Sequence, residues 1–174
     1  MSSGPQMSQP VWHGVEAAFP AVELSTTKDG WPVATVPRDQ YAGLCRWLKE
    51  KGLNFLASLT AVHYLDDGEM HVVLHLYRID ARGKMDSRLV LKVKLPDAVG
   101  EELPSVAAIW PAAEWHEREV FDMFGVRFTG HPDLRRILME ADYEAHPLRK
   151  DFVDRKPNLG VSRETLAKDA ASKR

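Results

Sequence analysis

The sequence predicts an α+β fold: a small, mainly antiparallel sheet covered by helices, followed by an extended C-terminal arm. Three observations predict it. Met70–Arg78 and Asp86–Leu95 both alternate, with Met70, Val72, Leu74 and Leu76 on one face and Leu89, Leu91, Val93 and Leu95 on the other run's matching face. That period of two is the mark of strands with one buried side. Arg38–Lys51 instead places Tyr41, Leu44, Cys45 and Leu48 at i, i+3, i+4 and i+7, the stripe of an amphipathic helix. From Val126 onward both periods stop, and Gly130, Pro132, Pro147 and Pro157 interrupt any long element.

Taken in order, residues 1–10 are a flexible lead-in of Ser, Gly, Gln and Pro. Val11–Phe19 reads as a short helix closed by Pro20. Val22–Thr26 and Trp31–Val36 flank Lys28-Asp29-Gly30 and read as a hairpin. The helix Arg38–Lys51 is preceded by Pro37 and followed by Gly52 as its C′ residue, with Cys45 a packed thiol on its stripe. Leu53–Tyr64, Met70–Arg78 and Asp86–Leu95 are three strands, the first two joined at Asp66-Asp67-Gly68. Arg88, Val90, Lys92 and Lys94 give the third a solvated outer face, for four or five strands in all. Pro96–Pro104 is a loop, Val106–Ile109 opens a more helical passage, and Ala112–Phe124 is a helix stopped by Gly125. The core domain is therefore 11–125 and the arm 126–174.

The chain of 174 residues is 44% hydrophobic, enough for one core with a tail. Its net charge of −2 argues against a nucleic-acid binder. The charge is split, however: residues 126–174 carry net +3 and the body net −5, so the arm suits a partner, the alternative being an ordinary solvated tail. A single cysteine excludes an internal disulfide or a Cys-ligated cluster within the chain. The longest apolar run, Val106–Ala113, is broken by Pro111 and is well short of the ~20 residues of a membrane span. No Lys or Arg precedes Lys28, so neither a signal peptide nor a transit peptide is expected, and the setting implied is a reducing cytoplasm.

Two constellations carry charge. On the Ala112–Phe124 helix, His116-Glu117-Arg118-Glu119 lacks the second His, since Val120 stands four positions after the first, so a zinc-protease site is not formed. Arg118 and Asp122 have the i, i+4 spacing of an in-helix ion pair, and Glu119 and Asp122 are neighbours at i, i+3. Trp115, Phe121 and Phe124 surround the same helix, so part of this charge is expected to be buried and specifically partnered. In the arm, Gly130–Leu138 sets Arg135 and Arg136 after a proline turn beside Asp133, and a protein carboxylate is the favoured partner. Pro147–Phe152 repeats the composition with Arg149, Lys150 and Asp151. His71 and His75 are ~13 Å apart on a strand, too far to share an ion, and read as exposed sheet-face residues. No phosphate-binding glycine motif and no nucleophile site is readable.

Glu117-Arg118-Glu119, Asp122-Met123-Phe124-Gly125, Phe128, Gly130–Leu138 and Pro147–Phe152, with Ser58–Val62 and His75–Arg78 before them, resemble one family closely. It is the 30-kDa subunit (C-subunit) family of the proton-pumping NADH:quinone oxidoreductase, respiratory complex I, and the likeness covers about Arg38 to Phe152. Tyr143, Ala145 and Val153 depart from its usual Trp, Gly and Pro. The resemblance implies an accessory subunit of the peripheral arm, on the cytoplasmic face of a bacterial inner membrane, touching the membrane only through the assembly. It implies no cofactor in this chain, with FMN, iron–sulfur clusters and quinone held by partner subunits. The chief partners implied are the quinone-cavity subunit and the terminal-cluster subunit. Glu117, Arg118, Glu119, Asp122, His131, Asp133, Arg135, Arg136, Arg149, Lys150 and Asp151 become interface and scaffold residues, none of them catalytic. Replacing Arg135 and Arg136 together by alanine is then expected to weaken assembly and leave the isolated fold intact. Related subunits of membrane-bound hydrogenases or of ferredoxin- or coenzyme-F-dependent pumps are the alternative.

Overall fold

The computed structural model describes residues 14–153; the lead-in 1–10, the start of the first helix and the arm beyond residue 153 lie outside the described residues. The elements run α1 (Val15–Ala18), β1 (Glu23–Thr26), β2 (Pro32–Val36), α2 (Tyr41–Glu50), β3 (Phe55–Tyr64), β4 (Glu69–Ile79), β5 (Met85–Pro96), β6 (Glu102–Pro104), α3 (Ala113–Phe124) and β7 (Arg127–Thr129).

Five strands form the main sheet in the order β1-β2-β5-β4-β3. All pairs are antiparallel except β2 with β5, which α2 makes possible by carrying the chain across the sheet. Register follows from burial: Leu59 faces Leu74 and Ala61 faces Val72, while Val72 faces Val93 and Leu74 faces Leu91. A one-residue slip would turn that apolar layer to water. The layer packs on Tyr41, Leu44, Cys45 and Leu48 of α2, all fully buried. Trp110 is buried as well, its Nε1 donating to the Leu53 carbonyl at 2.9 Å. The α+β class and the strand series therefore stand as expected.

Three expectations change. Pro96–Pro104 is not all loop: β6 pairs in parallel with β7, burying Leu103 and Phe128. A three-residue strand holds one inward side chain, too little for an alternation to register. The outer face of the sheet is not uniformly wet, because Val33, Val73 and Val90 form a small buried cluster under Trp31. Arg88 lies 4.2 Å over the Trp31 ring and completes the cover. Finally, Val126 and Phe128, on the arm side of the expected boundary, belong to the body's core.

Candidate functional site

The helix α3 rests against β3 and turns Arg118 and Asp122 to the arm. Gly125 ends it with φ 84°, a left-handed C′ residue. A Cβ there would stand 2.8 Å from the His146 ring, so glycine also lets the arm approach. The His146 Nδ1 donates to the Asp122 carbonyl at 2.9 Å.

Asp122 is the centre of the arrangement. Its fully buried carboxylate accepts three consecutive backbone N–H groups through Oδ2: Ile137 at 3.0 Å, Leu138 at 2.7 Å and Met139 at 2.9 Å. Its Oδ1 accepts from Arg136 Nη1 at 2.5 Å, and Arg136 Nη2 reaches the Ala145 carbonyl at 3.2 Å. Burial alone would raise the Asp122 pKa, but these four donors outweigh it and hold the carboxyl below its usual range. Arg118, 5% exposed, donates from Nε to the Arg135 carbonyl and from Nη2 to the Arg136 carbonyl, and stacks 5.2 Å from the Trp115 ring. The in-helix Arg118–Asp122 pair expected from spacing is thus not the arrangement found. Both side chains reach past each other to the arm, where backbone groups would otherwise be buried without partners.

One turn earlier, Glu117 is fully buried and ties the segment before α3 to the helix. Its Oε2 accepts from the Ser105 hydroxyl at 2.6 Å and its Oε1 from the Val106 N–H at 2.7 Å. Burial pushes its pKa up despite these bonds and despite His131, whose Nε2 lies 3.9 Å away. That Nε2 donates to the Glu114 carbonyl, while Nδ1 accepts the Asp133 N–H. Asp133 and Arg135 form an exposed pair at 2.7 Å.

A second polar cluster lies where the arm meets the far end of the sheet. Arg149, 8% exposed, bonds Asp97 Oδ1 at 2.5 Å and Asp151 through Nε and Nη2 at 3.0 Å. Burial would raise the Asp97 pKa, yet the close His63 imidazole and the Arg149 hydrogen bond carry it below the ordinary value. His63, 2% exposed on β3, accepts the Lys150 N–H at Nδ1, so its proton resides on Nε2, 2.9 Å from Asp97 Oδ2. His63 and Asp97 were not singled out in the sequence. The signal for His63 was present, because it occupies an inward position after Leu59 and Ala61, where a polar side chain demands a partner.

The eleven candidate residues therefore divide. Glu117, Arg118, Asp122 and Arg149 are buried, the His131 side chain is enclosed, and Arg136 is 12% exposed at its side chain. Glu119, Asp133, Arg135, Lys150 and Asp151 are exposed. The carboxylate that Arg136 binds belongs to this chain, which revises the expectation that losing Arg135 and Arg136 leaves the fold intact. His71 and His75 are half-buried rather than exposed, the first 2.6 Å from Glu69 Oε2 and the second bonded to Ser58 Oγ at 2.9 Å.

The family model described as respiratory-chain NADH dehydrogenase, 30 Kd subunit, matches residues 34–158, which include the whole of this arrangement. The chain belongs to that family. It is 45% identical to the NADH-quinone oxidoreductase C-subunit of Moorella thermoacetica, over 79% of this chain and 90% of that protein. The corresponding C-subunit of Geobacter sulfurreducens is 44% identical, over 75% and 82%. Among solved structures, the trypsin-resistant fragment of Nqo5 aligns with TM-score 0.62 at 30% identity, covering 71% of this chain and 96% of the fragment. A chain of the archaeal membrane-bound sulfane sulfur reductase aligns with TM-score 0.71 at 28% identity, over 83% and 84%. Within this 30-kDa family chain, no helix of the described residues is long and apolar enough to cross a membrane.

Proposed function

We propose that this chain is the 30-kDa subunit of a proton-pumping NADH:quinone oxidoreductase, a scaffold in its peripheral arm rather than a seat of chemistry. The observation that carries the reading is how the family's charged residues are used. Glu117 ties the segment before α3 to its helix. Arg118, Asp122 and Arg136 spend their hydrogen bonds on fixing the arm, at the backbone of residues 135–139 and 145, while Arg149 ties the same arm to Asp97. The arm then displays Leu138, Leu148 and Val153, each more than half exposed, together with Arg135 and Lys150. Apolar anchors ringed by charge suit a docking surface. The partners are the quinone-cavity subunit and the terminal-cluster subunit, with FMN, iron–sulfur clusters and quinone held outside this chain, at the cytoplasmic face of the membrane.

Affinity purification of the chain from gently solubilised native membranes tests this. Recovery with a flavin-bearing, NADH-oxidising assembly supports it, and recovery of the chain alone from the soluble fraction overturns it. The structural likeness to a chain of a sulfane sulfur reductase complex favours one second reading, an equivalent subunit of a related respiratory complex. Co-purification without an NADH-oxidising module would select it.

A further inference from the structure

The main sheet has two edges of opposite character. β1 is four residues long, opens on Glu23 and turns at Lys28-Asp29-Gly30, a short edge guarded by charge. β3 is ten residues long, Phe-Leu-Ala-Ser-Leu-Thr-Ala-Val-His-Tyr, with no acid, lysine, arginine, proline or glycine. Its ladder with β4 uses one side. Among the described residues, no backbone hydrogen bond from another segment reaches Phe55–Tyr64 on the other side. Phe55 is 48% exposed and Val62 37%, and Ala57 and Thr60 are exposed too. Long, uncharged edges are templates for strand addition, and proteins that leave them unpaired blunt them with Lys, Pro or bulges. The irregularity at Ala57 is the one such device here, and it leaves Ser58–Val62 in regular register.

We infer that the open edge of β3 takes an extended segment of a neighbouring subunit as a sixth strand. The inference rests on the multisubunit reading above. What recognises the occupant is the backbone itself, with Ser58, Thr60 and Val62 on the outer face favouring small, β-branched or hydroxyl neighbours. A second copy of this chain does not fit. Of the sheet's strands it is β3 that α3 lies against, and joining two β3 edges sets the strands ~4.8 Å apart. Each would bring its own helix to the same face, whereas packed helices need ~8–10 Å between axes. The occupant is therefore a segment bare on its helix side. It also runs beside the arm, since Lys150 bonds His63 and caps the Tyr64 end of the strand.

The test is made in the complex purified from membranes, with a photo-crosslinking amino acid placed in turn at Ser58, Thr60, Val62 and, as a control on the arm, Leu148. The expected result is capture of one segment of another subunit by all three β3 positions, the captured residue stepping by two as the probe steps by two. Capture of lipid, of a second copy or of nothing from β3, while Leu148 still captures a subunit, overturns the inference alone. Failure of Leu148 as well, with the chain recovered free, overturns the functional reading instead. Thr60→Lys with Val62→Lys should lower incorporation into the complex at least tenfold with the free chain's melting temperature unchanged, and Thr60→Val should incorporate normally. Full incorporation of the double lysine variant would also overturn the inference.

Discussion

The body and the arm of this molecule are held by different physics. Between β1 and α3 the core is apolar, with Leu74, Leu91 and Leu44 fully buried between sheet and helix. Such burial is non-directional and stabilises by ~1.5–3 kcal/mol per large side chain. From Gly130 to Phe152 the apolar side chains packed on that core are Leu134 and Met139. The contacts that fix the backbone there are directional: one carboxylate caps three N–H groups, two guanidiniums hold carbonyls, and a histidine receives a backbone amide. A segment without an apolar stripe can still be fixed in one conformation when charged anchors satisfy its backbone.

The sharpest way to break this contrast is Asp122→Ala. It orphans Arg136 and three amides, and the expected cost is ~3–5 kcal/mol by denaturant titration. Proteolysis should then cut the arm while β4 and β5 stay protected from hydrogen exchange; uniform loss of protection would show that arm and body are one cooperative unit. Leu74→Ala should cost ~2–5 kcal/mol and act the other way, loosening the sheet and arm together.

Acid provides a substitution-free version. Asp122 and Asp97 have carboxyls held below their ordinary values, so the stability they confer is full above the unfolded carboxylate range of about 4. It is lost as pH falls through their lower folded values. Glu117 runs oppositely, because its raised pKa makes its contribution greatest at low pH and smaller as pH rises. The amides of Ile137, Leu138 and Met139 should lose exchange protection below about pH 4, before those of β4.

Smaller effects sharpen the boundary. His63→Ala removes the acceptor for the Lys150 amide and should cost ~1–2 kcal/mol, seen as faster exchange at residues 148–152 only. Arg135→Ala, by contrast, should leave the melting curve unchanged, since its pair with Asp133 is solvent-exposed, whereas Arg136→Ala should not. Equal behaviour of the two would collapse the distinction between anchor and surface.

The same division decides what was legible in the sequence. The body's alternations and the α2 stripe name the inward residues directly, because each side chain's direction follows from its element's period. Gly125 announces its helix end for the same reason. The arm offers no period, so Arg135 and Arg136 look alike in sequence and diverge in space. Arg118 and Asp122, spaced as a pair, part because buried carbonyls and amides of the arm compete for them more strongly than an exposed i, i+4 contact of ~0.3–0.5 kcal/mol would. Asp97 and Ser105 carry no local signal, since what selects them is a partner dozens or a dozen positions away.

The carboxylate of Asp122 closes a loop of fifteen to seventeen residues onto its own helix, a closure that a small secreted protein would make with a disulfide. A disulfide constrains the unfolded chain and needs an oxidant to form. This closure does neither: it dissolves on unfolding and forms afresh with each folding. Cys45, the chain's one thiol, is buried and pushed far above its ordinary pKa, so it has no thiolate to offer. The arm is thus fastened by a latch that answers to protons and is indifferent to the redox poise of its surroundings.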